Sequence, residues 1–517
     1  MVQDEEPQFD DRDRGGQGGG GGGSGCLFML LPLFFQLFRR NPTVAIGLVV
    51  VVLVAGYCFN PSDMSSSGDD TEVVDNQQHS RGRGCDLKQE EFDKASVFAA
   101  LAPGKNAVPD RVSLEQYCPK RKNQGMQGSC VAWSCSYGAR TILQAISSGQ
   151  DPNRLAFSPA FMYNQIGLQG CQGAYLNEAM DLLTKMGAVP FDAFPYDEND
   201  CSREPSTQLK REAGQFKMRG HNRLTKGASN YSIDFDAIKH NLAQGGPVAI
   251  GMMVGGTFME GMFGKKVWHP TRGDYGQRGF GGHAMCIIGY DDNLEGGAFQ
   301  IMNSWGPEWG INGIGWVTYE DFKKFGKEAY GLDPMPKMNV DKSKFAAKIG
   351  LVTNNDREYI PLKANGNTFS SASIKKGTKF KMEITNSIEC HIYVFGLDYD
   401  KSNKAYSKVL FPYTPKHSAF CGILGTRLFP SDYSMMADDI GNQDYMAVVI
   451  TKEPIDYNAL NDKINKSSGS DYRAQVMAAL GNQDLETVQF KGGQTVDFST
   501  DAKGKNAVAM IIEVNKQ

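Results

Sequence analysis

Apolar residues crowd twice near the start of the chain. Leu27 to Phe38 is a short run, and Thr43 to Phe59 is a run of seventeen residues without a charge, long enough for one membrane-spanning helix. Residues 27–59 therefore read as an apolar segment with a span at about 43–59. Ahead of it, residues 1–26 are acidic and then glycine-rich, which predicts disorder because they cannot bury apolar surface. Residues 60–105 open with a Ser/Gly/Asp/Gln-rich stretch and read as a tether. From Cys130 to about Ser147 the spacing becomes helical, with Trp133, Tyr137 and Thr141 on one face. A proline-rich break, Asp333-Pro334-Met335-Pro336, closes a first globular part over 106–336. The remainder, 340–517, is predicted β-rich. Lys379 to Ile384 alternates polar and apolar as a half-buried strand does, and His391 to Phe395 and Tyr445 to Ile450 are further strand candidates.

Charge adds a direction. Arg39 and Arg40 precede the span, and Asp63, Asp69, Asp70 and Glu72 follow it. By the positive-inside rule the N-terminus is cytoplasmic, and everything beyond about residue 60 is extracytoplasmic, periplasmic or extracellular. A cleaved signal peptide is the alternative, with an unusually extended n-region. A lipoprotein signal ending at Cys58 would place the bulky Tyr57 where a small residue belongs. The net charge of −4 carries no basic stripe, so no nucleic-acid partner is expected. Eleven cysteines occur without a CxxC pair or an HExxH motif, so no metal site is predicted.

The chemistry concentrates in three blocks. Asn123-Gln124-Gly125-Met126-Gln127-Gly128-Ser129-Cys130-Val131-Ala132-Trp133 is a glycine-punctuated loop running into a helix. Cys130 then stands at the first turn, where unpaired N–H groups and the helix dipole favour a thiolate. Gly281-Gly282-His283-Ala284-Met285 places a histidine at the entrance to an apolar run, 153 residues beyond Cys130. Twenty residues on comes Asn303-Ser304-Trp305-Gly306-Pro307-Glu308-Trp309-Gly310. In this order and spacing the blocks resemble the active-site motifs of the papain-like cysteine peptidases, in a bacterial-type branch. The departures are Gln127 where the family has a second cysteine, Val131 where it has an aromatic residue, and Gly282 where it has Asn or Asp.

The resemblance implies a nucleophile at Cys130, a general base at His283 and an orienting amide at Asn303, with Trp305 shielding the His–Asn bond. It places Gln124 as side-chain donor to the oxyanion beside the Cys130 N–H, with Gln127 directed away from the cleft. Gln169-Gly170-Cys171-Gln172-Gly173-Ala174-Tyr175 resembles the loop that binds substrate backbone, which makes Gly173, Ala174, Tyr175, Ala284 and Trp305 substrate-binding candidates. Cys171 and Cys201 lack their usual family partners, and pairing with each other, with Cys118 or with Cys135 stays open. No helical propeptide of the family's usual length precedes residue 106, and the sequence leaves the form of latency open. Val409-Leu410-Phe411-Pro412 and Asn442 to Pro454 resemble a β-rich accessory domain of bacterial surface and signalling proteins. Asp398 to Asn403 lacks the glycine and the terminal glutamate of a calcium loop and reads as a turn.

The expected fold is α+β: a papain-like two-lobed peptidase, helical lobe plus β-rich lobe, followed by a separate β-rich, sandwich-like domain. The expected activity is hydrolysis of peptide bonds in a peptide or protein substrate through an acyl-thioester, without a cofactor, on a chain held to the membrane by its N-terminal helix. Acyl transfer to an amine by the same residues is one alternative. A non-catalytic surface binding protein on a peptidase fold is the other.

Overall fold

The computed structural model of the chain describes residues 2–3, 81–102, 105–335, 344–354, 358–412, 414–431, 433–481, 488, 490–501 and 506–517. The expected span at 43–59 and, apart from Val2–Gln3, the expected disordered tail lie outside the described residues. Among the described residues, no helix is long and apolar enough to cross a membrane. The described residues fall in one compact unit.

The helical half of the peptidase part is organised around helix α1 (residues 130–148). It opens with an α turn at Cys130–Ala132, widens to a π segment over Trp133–Arg140, and closes as α-helix over Thr141–Ser148. Gly149, at φ 70°, stops it in the left-handed conformation that glycine adopts without strain. Every residue of the π segment is buried, which makes α1 a central post rather than a surface helix. Helices α2 (Pro159–Ile166) and α3 (Leu176–Lys185) pack beside it. Ser158 caps α2 by accepting from the Phe161 N–H, with Pro159 at the first helical position.

The other half is an antiparallel sheet. Strands β2 (His221–Arg223), β3 (Val248–Val254), β4 (Gly281–Asp291), β5 (Ala298–Met302), β6 (Ile314–Thr318) and β7 (Gly326–Leu332) are ordered β2-β7-β3-β4-β5-β6, and β1 (Arg111–Ser113) pairs with β4. The apolar run after His283 is buried from His283 to Tyr290, and it lies directly against α1. The Ser134 hydroxyl donates to the Met285 carbonyl at 2.7 Å, which fixes the register of the helix against β4. Cys130 and His283 are thereby brought to the same end of the helix–sheet seam.

The C-terminal part is β-rich. One sheet carries β8 (Lys344–Thr353), β9 (Lys379–Asn386), β11 (Gly425–Phe429) and β13 (Thr495–Asp501); a second carries β10 (Cys390–Tyr399), β12 (Gln443–Thr451) and β14 (Ala507–Asn515). The three predicted strands fall within β9, β10 and β12. Ile349, Met382 and Phe429 from the first sheet share a buried cluster with Ile392, Val448 and Met510 from the second. In the Asp398–Asn403 segment the Asp400 carboxylate accepts from the Ser402 and Lys404 N–H groups, which accounts for it as a turn.

Within the stretch read as a tether, residues 81–102 are packed. Phe92, Val97, Phe98 and Leu101 are buried, and that burial offsets the entropy of ordering the segment. The segment is held from both sides. Phe98 N–H donates to Arg223 O and Arg223 N–H to Ser96 O in the peptidase part. Val97 N–H donates to Lys416 O, Ala102 N–H to Thr426 O and Arg427 Nε to Ala99 O in the C-terminal part. The Asp93 carboxylate joins them: it accepts from Arg223 Nη1 at 2.9 Å and Tyr231 OH at 2.7 Å, and it also pairs with Lys416.

Candidate active site

Cys130 opens α1 with its side chain fully buried. Its sulfur receives the Ala284 N–H at 3.3 Å and faces the N–H groups of Gly84 and Val131. Ala284 follows His283 on β4, so the N–H that would meet the charge of a thiolate lies one residue from the imidazole. His283 Nε2 lies 2.8 Å from Asn303 Oδ1, and the Asn303 oxygen also accepts the Ser304 N–H at 2.8 Å. The Trp305 ring stacks on the imidazole at 4.2 Å with 22° between planes. His283 Nδ1 is buried and has no hydrogen-bond partner among the described residues.

Burial sets the protonation of the pair. It pushes the Cys130 thiol up to about 12, against the pull of the surrounding N–H groups, and holds His283 down to about 3, against its bond to Asn303. In the closed cleft, burial therefore disfavours charge on both groups and opposes the thiolate that the helix start favours. The physical reason is desolvation: the cleft is filled.

What fills it is the chain itself. Residues 81–87 run between the two halves. Cys85 lies in a parallel bridge with Ala174, with Ala174 N–H donating to Gly84 O at 2.9 Å and Asp86 N–H to Ala174 O at 3.2 Å. Cys85 N–H donates to Gly282 O, Gly82 N–H to Gly125 O, and Trp305 Nε1 to Gly82 O at 3.0 Å. Tyr175 OH accepts from Lys88 Nζ. The strap presents the Gly84 N–H to the sulfur.

The five residues expected to bind substrate all stand along this path: Gly173, Ala174 and Tyr175 on one wall, Ala284 at the sulfur, Trp305 on the other side of it. Gln124 is fully buried in the loop before α1. Its Oε1 accepts from Ser304 Oγ at 2.6 Å and its Nε2 donates to Gln127 O at 2.9 Å, which leaves one amide hydrogen for another acceptor. The Gln127 amide points elsewhere, donating to the carbonyls of Asp197 and Glu198 at 3.3 Å. Cys171 pairs with Cys201, while Cys118 and Cys135 are free and buried.

Sequence reasoning missed Ser304 as the anchor of Gln124, and it missed the strap. Alternation carried the signal for the strap: in Arg81-Gly82-Arg83-Gly84, every second residue lacks a side chain, which gives an extended segment one bare edge. A Cβ on Gly84 would stand 2.1 Å from Gly128 O, and one on Gly82 2.6 Å from Gln127 O.

Residues 108–331 match the papain family of cysteine proteases. Cathepsin B-like CP3 of Giardia intestinalis is 31% identical over 224 residues, covering 43% of this chain and 70% of the relative. Cathepsin B-like CP2 of the same organism is 28% identical over 217 residues, covering 40% and 68%. Among solved structures, xylellain, a cysteine protease from Xylella fastidiosa, superposes with a TM-score of 0.40 at 24% identity, covering 49% of this chain and 96% of that one. The match to CP3 runs through most of that relative's length rather than through one motif, and on that extent of likeness this chain belongs to the papain family of cysteine proteases and is a hydrolase of that family.

Proposed function

We propose that Cys130, His283 and Asn303 carry peptide-bond hydrolysis, and that residues 81–87 hold the enzyme latent. The observation that carries the reading is the seating of the thiol on the Ala284 N–H, one residue from an imidazole whose far nitrogen is fixed by Asn303. Once the strap leaves, water reaches the site and the penalty on charge falls, so the proton passes from sulfur to His283. The thiolate attacks the carbonyl carbon of the substrate. Negative charge develops on the carbonyl oxygen, and the Cys130 N–H and the remaining Gln124 amide hydrogen stabilise it. The C–N bond breaks and the amine leaves with the proton from His283. His283 then takes a proton from water, which attacks the thioester and releases the acid and the thiol. Asn303 keeps the imidazole in its plane and tautomer without adding a charge. The full chain with Cys130→Ala, compared with the unaltered chain on a peptide library, tests the assignment. Cleavage retained by the folded variant would end it, and labelling of Cys135 in place of Cys130 by a thiol-directed epoxide would redirect it.

Residues 43–59 anchor the chain, with the N-terminus cytoplasmic and the peptidase outside, and residues 340–517 form a sandwich-like accessory domain. Arg39, Arg40 and the acidic residues after the span support that topology. The pairing of Val2–Gln3 with Met435–Met436 requires both ends on one face of a membrane, so it competes with this arrangement. Protease added to spheroplasts decides between them: digestion beyond residue 60 is the expected result, and protection of that region reverses the topology.

A further inference from the structure

The strap is more than a plug. Its glycines lie against the backbone of the helical half, and its arginines reach into the β-rich half. Arg83 Nη1 donates to two carbonyls, Val254 O at 3.0 Å and Gly279 O at 2.8 Å. Its guanidinium lies against Gly281, where a Cβ would come within 3.3 Å of Cζ, so the absence of a side chain there makes the seat. Arg81 Nη1 donates to Met259 O at 2.6 Å. Its Cζ stands 4.3 Å over the Phe263 ring and 5.6 Å from that of Trp305, with the Glu308 carboxylate adding favourable charge. Phe263 stays 48% exposed with Arg81 over it, so the ring face is open to solvent around the guanidinium. These two seats offer carbonyl oxygens, a ring face and one carboxylate. That set suits a planar, multiply donating cation better than an apolar side chain.

We infer that the two seats are arginine subsites of the enzyme: with the strap displaced, they receive guanidinium groups of the substrate on the Trp305 side of Cys130. His283 and the indole stacked on it flank that side, so it is the side on which the leaving amine takes up its proton. Gly84 lies at the sulfur, which puts Arg83 one residue and Arg81 three residues from the reacting position. The strap crosses the site with its N-terminal end on the Trp305 side, opposite to a substrate, so the seats fix the side and not the count: the substrate class is a peptide with arginine within the first three positions after the scissile bond. This rests on the proposed hydrolase reading, and the test separates the two.

Quenched peptides that carry arginine, citrulline, lysine or norleucine at those positions are offered to the full chain with Arg81→Ala and Arg83→Ala, which empties the seats. The expected result is kcat/KM at least tenfold higher for arginine than for its uncharged isostere citrulline, with lysine between. Phe263→Ala and Glu308→Gln, added to the same chain, reduce the ratio of arginine to citrulline turnover. In parallel, acetyl-Ser-Arg-Gly-Arg-Gly-amide slows alkylation of Cys130 at least tenfold, and its citrulline counterpart does not. Turnover without preference for arginine overturns the inference, since the seats then serve only to anchor the strap. The same holds if the arginine peptide gives no protection. Absence of turnover with every peptide, while Cys130 stays open to alkylation, refutes the hydrolase reading on which the inference rests.

Discussion

Gly84→Ala should open the enzyme. Gly84 is not among the glycines with positive φ, so alanine meets no backbone strain there and the effect is purely steric. The new Cβ would stand 2.1 Å from Gly128 O and 2.5 Å from Gly128 C and Cα. These are backbone atoms, and they are not free to retreat. Gly128 N–H donates to Cys171 O, and Cys171 is tied to Cys201. Gly128 also lies in the loop that leads directly into α1. The strap must therefore move. Overpacking of this kind costs roughly 1–3 kcal/mol, with rigid backbone on one side favouring the upper end. Charged against the closed state alone, that shifts the ratio of open to closed cleft by about 5-fold to 150-fold. Alkylation of Cys130 by limiting iodoacetamide reads that ratio when opening and closing are fast relative to labelling. The full chain with Gly84→Ala should be labelled at least fivefold faster than the unaltered chain. Gly214→Ala, where a Cβ meets nothing within 4 Å, serves as the control and should change nothing. Equal labelling rates for folded Gly84→Ala and the unaltered chain would refute the reasoning.

Gln124→Ala should lower kcat by about 10²–10³, as loss of one oxyanion donor does, and Gln127→Ala by less than about tenfold; the reverse ranking on one peptide substrate would put the oxyanion donor at Gln127. Lys416→Ala removes one of the partners of Asp93 without emptying a core, and it should speed Cys130 alkylation by a few-fold at low salt and less at high salt; an unchanged rate would detach the C-terminal part from latency. Stability should be flat between about pH 4.5 and 6.5 and fall on both sides, read as the urea midpoint. Burial holds His283 down to about 3 and His221 to about 4, so the unfolded chain binds more protons on them below 6.5 and their contribution is lost as pH falls. Burial raises Asp333 to about 7 and Glu328 to about 8, so the folded chain binds more protons on them above 4.5 and theirs is lost as pH rises. The two opposed slopes cancel in the window they share, and a midpoint that climbs steadily from pH 5 to 8 would show that other groups dominate.

Much of the peptidase part was legible because its chemistry needs fixed residue types in fixed order. Asn303-Ser304-Trp305-Gly306 reads as a block since each member has its own task. Asn303 holds the imidazole, Trp305 covers it, Ser304 anchors Gln124, and Gly306 sits at φ 82°. The strand pattern of 379–384 was equally plain, because one face of that strand is buried. The strap was not legible in the same way. Arg-Gly-Arg-Gly has the composition of a solvated linker, and only the opposing backbone at Gly125 and Gly128 turns its bare edge into a fit. Partners distant in sequence explain the other gaps. Nothing local says that Val97 pairs with His417, or that Cys171 finds Cys201 rather than Cys118.

The contacts of the strap also follow one another in series along the chain. Tension on the chain ahead of residue 81 meets the contacts one at a time: the Arg81 seat first, then the Trp305 bond to Gly82, the Arg83 seat, and last the bridge of Cys85 to Ala174. Contacts arranged in series can yield in turn from the N-terminal end. Tension applied through the C-terminal part arrives differently. It crosses the 93–102 segment, where the bonds of Val97, Ala99, Ala102 and Asp93 share it and must fail together. A pull on the chain ahead of residue 81 should therefore uncover Cys130 at lower force than a pull through the C-terminal part.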